Sequence, residues 1–393
     1  MSMRQVGFLL LASVALILVP RVLYRSLVAH RESAGQVQSE STIPPSPQRT
    51  ARSSSNTLSQ GSSLARPPAA VASRNDRRSG FAWILRQFGA SESLLDRFAD
   101  EDLAPLLTEL KERAAGGDPS AVNILGWVSY QRCSLGRNEE QISGYEKRQL
   151  SEAGALPADE AAWVVTVVHS WGEYDRKFAS VCAQLIDSAQ ISAWVLGQAE
   201  RGDAASRWLL SQQAGNVLAA DRLLRDAATG GFPQAQFELA RGILWKQKGT
   251  AASDPTALSA MTLLCEAADS LPAAEANLAV CEYRGCKGAA PDISAALTHA
   301  REAANNGNVD ALLEIGPHLS AGQVSPDEVA AWTVIRASLQ QRGCGVSGVS
   351  VGWMKFNSEA LSTAGAFPGA LKLASQIWED HGRQMMTSLG CIS

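Results

Sequence analysis

The sequence predicts an all-α fold, an α-solenoid of short helix-turn-helix repeats, and three observations predict it. Hydrophobic residues make up 46% of the 393-residue chain but aromatics only 6%, and alanine dominates wherever the chain looks folded. Alanine is the strongest helix former and lets helix backbones approach closely. A phrase of small residues, usually an Ala pair followed by a Gly-containing turn, precedes one apolar helical stretch after another. The Ala pairs beginning at Ala227, Ala267 and Ala303 are separated by 40 and 36 residues, a period that belongs to repeat architectures.

The chain opens on a membrane signal. Val6 to Val19 reads VGFLLLASVALILV without a charge, with Arg4 before it and Arg21 after it. At 1.5 Å per residue the strict run spans about 21 Å. Extended over residues 6–24, with Arg21 snorkelling, it approaches the roughly 30 Å of hydrocarbon that one helix must cross. No small-x-small cleavage site follows directly, and Arg21 and Arg25 disfavour one. Leu27-Val28-Ala29 is the rival cleavage site. Residues 1–30 are therefore expected to be an uncleaved, single-pass anchor in the inner membrane. Arg21, Arg25 and Arg31 outnumber Arg4 plus the amino terminus, which on the positive-inside rule alone puts the body in the cytoplasm. The cysteines argue for the opposite face.

Residues 31–78 read as a disordered linker. Eleven of these 48 residues are Ser, five are Pro and none is Phe, Trp or Tyr. Such a segment buries too little apolar surface to offset the entropy of ordering. Its seven Arg are scattered rather than clustered.

From Ser79 the pattern turns helical, and residues 79–393 are expected to form the repeat domain. Phe81, Trp83, Ile84, Leu85 and Phe88 form an apolar patch, followed by Leu94, Leu95, Phe98, Leu103, Leu106, Leu107 and Leu110 at helical spacing. The stretch 81–110 is placed to cap the front of a stack, and 352–390 to cap the back. Between them, Ala114-Ala115-Gly116-Gly117-Asp118-Pro119 leads into Ala121, Leu125, Gly126 and Tyr130. Small residues close one helix, Gly117 permits a left-handed turn, and Asp118-Pro119 caps the next helix and presets its first φ.

The phrase returns as AERGD at 199–203, AATGGFPQA at 227–235 with Gly231, AADSLPAA at 267–274, and AANNGNVDA at 303–311 with Gly307. Asp254 and Asp292 introduce the second helices of two units, each closing on an Ala pair. These strings resemble the Sel1-like repeat, a relative of the tetratricopeptide repeat. The shared elements are the Ala-Ala-x-x-Gly turn, the Leu-Gly-x-x-x-Tyr of the first helix, and the Asp opening the second. Residues 114–130 match the first half of a repeat best, and 227–341 resemble three consecutive units. Ala240 and Ala279 replace the Gly, and residues 133–198 and 342–393 fit no full repeat. The resemblance implies a groove that binds a protein partner, with no cofactor. Trp127, Trp163, Trp194, Trp208, Trp245 and Trp332 lie within apolar helical patterns and are expected mostly in the core. Any that line the groove would anchor a ligand.

Seven cysteines contain no C-x-x-C pair and no Cys/His cluster at zinc-ligand spacing. Cys265 reads as a small buried hydrophobe. The pairs expected are Cys133 with Cys182, Cys281 with Cys286, and Cys344 with Cys391, one choice among the fifteen that six cysteines allow. Disulfides favour a periplasmic body; a cytoplasmic body with free thiols is the alternative.

Charge and motifs limit the function. The net charge of −4 less +3 for residues 1–30 and +4 for residues 31–78 leaves −11 on the body, which argues against nucleic acid as a partner. The five His fall in no H-E-x-x-H or nucleophile motif, and no phosphate-binding glycine loop is present. No metal site and no enzyme are expected. The reading is a membrane-tethered protein-interaction scaffold, with a periplasmic binder or modifier of a cell-wall fragment or other small ligand as the alternative.

Overall fold

Four turns with the same chemistry set the register of the chain. Gly117, Gly202, Gly231 and Gly307 take φ of 88°, 101°, 80° and 91°, a left-handed region that favours glycine. In each turn the next amide bonds back five positions, from Asp118 to Arg113, Asp203 to Gln198, Phe232 to Ala227, and Asn308 to Ala303. This double reversal satisfies carbonyls that a helix C-terminus leaves open and redirects the chain into the next helix.

The computed structural model describes residues 64–100, 103–134, 138–246, 255–285 and 290–344, residue 364 and residues 366–392 apart from 368, all within the unit Ser53–Ser393. These residues are all helix and connection, with no strand among them. The first three helices are α1 (Ala69–Leu85), α2 (Glu92–Ala99) and α3 (Leu103–Ala115). Then come α4 (Pro119–Trp127), extended by a π-helical stretch Val128–Ser134, α5 (Glu139–Ala153) and α6 (Ala158–Leu185). The middle holds α7 (Ser188–Glu200), α8 (Ala204–Gln213), α9 (Val217–Thr229), α10 (Pro233–Lys246) and α11 (Pro255–Ala268). The last elements are α12 (Pro272–Arg284), α13 (Ile293–Asn305), α14 (Asp310–Ile315) with a 3-10 turn Gly316–His318, α15 (Pro326–Gln341) and α16 (Ala370–Ser388).

Hairpins follow from the caps. Asp118 and Asp203 open the first helices α4 and α8; Asp187, Asn216, Asp292 and Ser325 open the second helices α7, α9, α13 and α15, each accepting from amides of the first turn. The pairs α8–α9, α10–α11, α12–α13 and α14–α15 are consecutive in sequence. The pair α4–α7 is not. Between its two helices the chain inserts the hairpin α5–α6, and Cys133 at the exit from α4 is bonded to Cys182 near the end of α6, with Cα atoms 5.5 Å apart. The stretch 133–198, which fits no full repeat in sequence, is thus an inserted hairpin followed by the displaced second helix.

The last part of the span expected to be linker is folded. Helix α1 begins at Ala69, within the span 31–78 expected to be disordered, and Ser73, Asn75, Asp76, Arg77, Arg78 and Ser79 are all buried. Their polarity makes the segment look like linker, but each finds partners elsewhere in the fold. The two expected end caps also meet: α1 packs beside the C-terminal ends of α15 and α16. Among the described residues no helix is long and apolar enough to cross a membrane; residues 6–24 lie outside them.

Candidate protein-interaction site

The first helices of the early hairpins present aromatic side chains to one another, and α1 fills the space between them. Phe81 of α1 stacks on Phe98 and Phe178, with centroids 5.1 and 6.2 Å away, and meets the edge of Trp127 at 5.7 Å. Phe88, just beyond α1, contacts Trp208 at 6.2 Å and Phe232 at 5.8 Å. Arg132 lies over the rings of Phe81 and Phe178 and pairs with Asp175 at 2.7 Å. Trp127 and Trp208, expected in the core, are there, and the chain's own α1 and the residues just beyond it cover them. Trp127, Trp208 and Trp332 are buried, Trp163 and Trp194 are half-buried, and the side chain of Trp245 lies outside the described residues.

The residues quoted for the repeat sit in turns and helix contacts rather than at a chemical centre. Asp118 accepts from the amides of Ser120 and Ala121. Ala121 and Leu125 are wholly buried. At Gly126 an added Cβ would fall 2.7 Å from Val195 and 3.1 Å from Leu209, so this glycine brings α4 against both α7 and α8. Tyr130 donates its hydroxyl to the carbonyl of Gln212 at 2.7 Å. Asp292 caps α13, while Asp254 lies outside the described residues. A buried polar thread, invisible in the sequence, joins two hairpins: Asn123 donates to Asp203 at 2.9 Å and accepts from Ser206 at 2.6 Å.

Cys344 is bonded to Cys391. Cys281 is also disulfide-bonded, but Cys286, its expected partner, lies outside the described residues. Cys265 carries a free thiol and is exposed, where the sequence suggested burial. Ala260, Leu264 and Ala267 form the buried face of α11, and Cys265 lies outside it.

An open apolar trough lies elsewhere, along the last hairpin. A trough of about 680 Å³ runs between α14, the 3-10 turn and α15, lined by Leu313, Pro317, Leu319, Val329, Thr333 and Phe367. Two features make it. Helix α14 is only six residues long and stops at Gly316, against which Val329 packs. The stretch Leu319–Val324 then lends Leu319, Ala321 and Val324 to the wall before Ser325 caps α15. Arg336 forms part of the trough and pairs with Asp310 at 3.1 Å.

His299 contacts Glu282 at 2.7 Å and His169 lies 3.9 Å from Glu146, and neither lines the trough. No group of three or more His, Cys, Asp or Glu among the described residues is placed to hold a metal. Glu275 is the most perturbed carboxyl: burial and a hydrogen bond with Glu302 push it up to about 7.

No protein-family model and no curated protein matches the chain. Among solved structures it is similar to a protective antigen of uropathogenic Escherichia coli described as displaying an SLR fold, with 16% identity over 76% of this chain and 73% of the other, at a TM-score of 0.32. It is also similar to a Sel1 repeat protein from Oxalobacter formigenes, with 19% identity over 67% of this chain and 89% of that one, at a TM-score of 0.34.

Proposed function

We propose that this chain is a membrane-tethered scaffold that docks an apolar segment of a partner protein in the trough between α14 and α15. The open trough carries the reading. Its lining is mostly apolar side chains on rigid helices, whereas the aromatic face of the early hairpins is already occupied by α1. Apolar side chains in a concave site supply binding energy, and a few polar groups such as Thr333 and Arg336 orient what binds.

The tether rests on the uncharged run Val6–Val19 and the Ser- and Pro-rich segment after it. The disulfides Cys133–Cys182 and Cys344–Cys391 support a periplasmic body, since such bonds persist in oxidising compartments. No catalytic step is assigned.

Photocrosslinking in intact membranes tests the reading. A photoreactive residue replacing Thr333 or Phe367 in the full chain should give a discrete protein adduct, and one at Arg222 on α9 should not. Val329→Glu should abolish the adduct. If the trough positions give none and added muropeptides raise the melting temperature of the body, the site takes a cell-wall fragment and the scaffold reading fails.

A further inference from the structure

Stacked hairpins do not by themselves account for the burial of the polar half of α1. Part of that burial comes from α2 and α6, through Arg74 with Asp96, Arg77 with Ala99 O and Ser170, and Trp171 with Asp76, and the rest from two segments near the C-terminal end of the chain, one following α15 and one following α16. Asn75 donates to the carbonyl of Arg342 at 3.1 Å and Ser79 to that of Gly343 at 3.1 Å. Arg78 donates to the carbonyls of Gly390 at 2.6 Å and Ile392 at 3.0 Å. These carbonyls lie at helix ends, where the helix supplies no donor of its own.

The two segments have the same build. Gly343 has φ of 72° and Gly390 has φ of 76°. The next residue in each is a cysteine, whose amide bonds back five positions, Cys344 to Leu339 and Cys391 to Met386. Each glycine abuts α1 so closely that a Cβ would collide, at Gly343 with the backbone of Ala72 and at Gly390 with Ala82. The disulfide therefore joins the two jaws that hold α1 one residue beyond their contact points.

We infer that the Cys344–Cys391 bond is what seats the polar half of α1. With both thiols reduced the chain is an open form in which the two C-terminal segments release 64–79 and leave it held by α2 and α6, and oxidation of this pair closes it. The other half of α1 does not depend on the bond, because Phe81 and Leu85 are held in the aromatic core of the early hairpins. Arg78 does depend on it: its side chain is wholly buried, and two of its acceptors belong to the segment that Cys391 anchors. Losing them leaves the buried guanidinium with only Glu92 and Asp96, so part of its donor capacity goes unmet. Arg342, on the other jaw, holds the incoming chain by donating to Ala65 O at 2.9 Å.

The chemistry is thiol–disulfide exchange with a disulfide donor. One cysteine thiolate attacks the donor and forms a mixed disulfide, and the second thiolate displaces the donor sulfur. The donor leaves as a dithiol carrying two electrons and two protons, and the Cys344–Cys391 bond forms. Cys344 and Cys391 are 2% and 0% exposed, so the closed bond is shielded from dithiols and closure acts as a maturation step.

Limited trypsin digestion of the full chain in detergent tests this, because Arg77 and Arg78 are buried cleavage sites. The oxidised chain should resist cutting after both. Cys391→Ser should be cut there at least tenfold faster while the remaining body persists, and the double variant Cys133→Ser/Cys182→Ser should match the native chain at these sites. Equal cutting in Cys391→Ser, or digestion of its whole body at one rate, would overturn the inference. Reoxidation of the reduced native chain with glutathione disulfide gives a second measure. Amides 69–79 should gain hydrogen-exchange protection as the Cys344–Cys391 bond forms; protection appearing before the bond would equally refute it.

Discussion

The guanidinium of Arg78 donates to the carbonyl of Gly390 at 2.6 Å, across a sequence separation of 312 residues. The same group pairs with Glu92 and Asp96 of α2. One wholly buried side chain thus links the first helices of the body to its last turn.

Arg78→Met should lower the unfolding free energy by about 3–5 kcal/mol, the cost of removing one partner from a buried charged network. Arg78→Lys should recover little of it, because an ammonium lacks the planar fork that reaches two carbonyls and two carboxylates together. Urea unfolding midpoints at fixed m-value measure both.

Glycine substitutions should separate position from residue type. Gly343→Ala and Gly390→Ala force a methyl group into α1 at positive φ and should destabilise by at least about 2 kcal/mol. Gly80→Ala, on the exposed side of α1 with nothing within 4 Å of the added carbon, should stabilise by about 0.5–1 kcal/mol. Thermal unfolding of the three variants checks the ordering.

Glu275 makes stability depend on pH near neutrality. Its carboxyl is pushed from an ordinary 4.5 up to about 7, first by burial and then by Glu302, so the folded state holds the proton more tightly than the unfolded one. The stabilisation is complete below about 4.5 and is lost as pH rises through about 7. The melting temperature should fall between pH 5 and pH 8, and Glu275→Gln should flatten that slope and raise the value at pH 8.

The neck of the insert makes a separable prediction. Cys133 and Cys182 lie 49 positions apart, and closing a loop of that size contributes about 4 kcal/mol in the chain-entropy account. Cys133→Ser/Cys182→Ser should lower stability by about 2–4 kcal/mol. Hydrogen exchange should show the loss concentrated in α5 and α6, with α10 to α13 changed least.

The turns were legible because their causes are local. Gly117, Asp118 and Gly307 act within one or two helical turns of themselves, and a glycine at positive φ or an aspartate at a helix start has the same meaning in any fold. The insert was legible only as an irregularity. Neither α5 nor α6 signals that α7, rather than α5, completes the hairpin begun by α4; Asp187 and Ala199 carry the signal of a second helix, but 60 residues late. Nor does Leu313, Val329 or Phe367 differ in pattern from a core residue, so the trough had no signature.

The sequence by itself determined the all-α class, the hairpin turns and the acidic body, because composition, capping and glycine placement act over a few residues. Only the tertiary structure decided that the first described helix lies against the last turn. It turned an arginine-rich stretch that reads as linker into a buried helix. The reason is physical: Arg77, Arg78 and Asn75 are tolerable in a core only when carbonyls and carboxylates from distant helices meet them there, and no local pattern encodes that meeting.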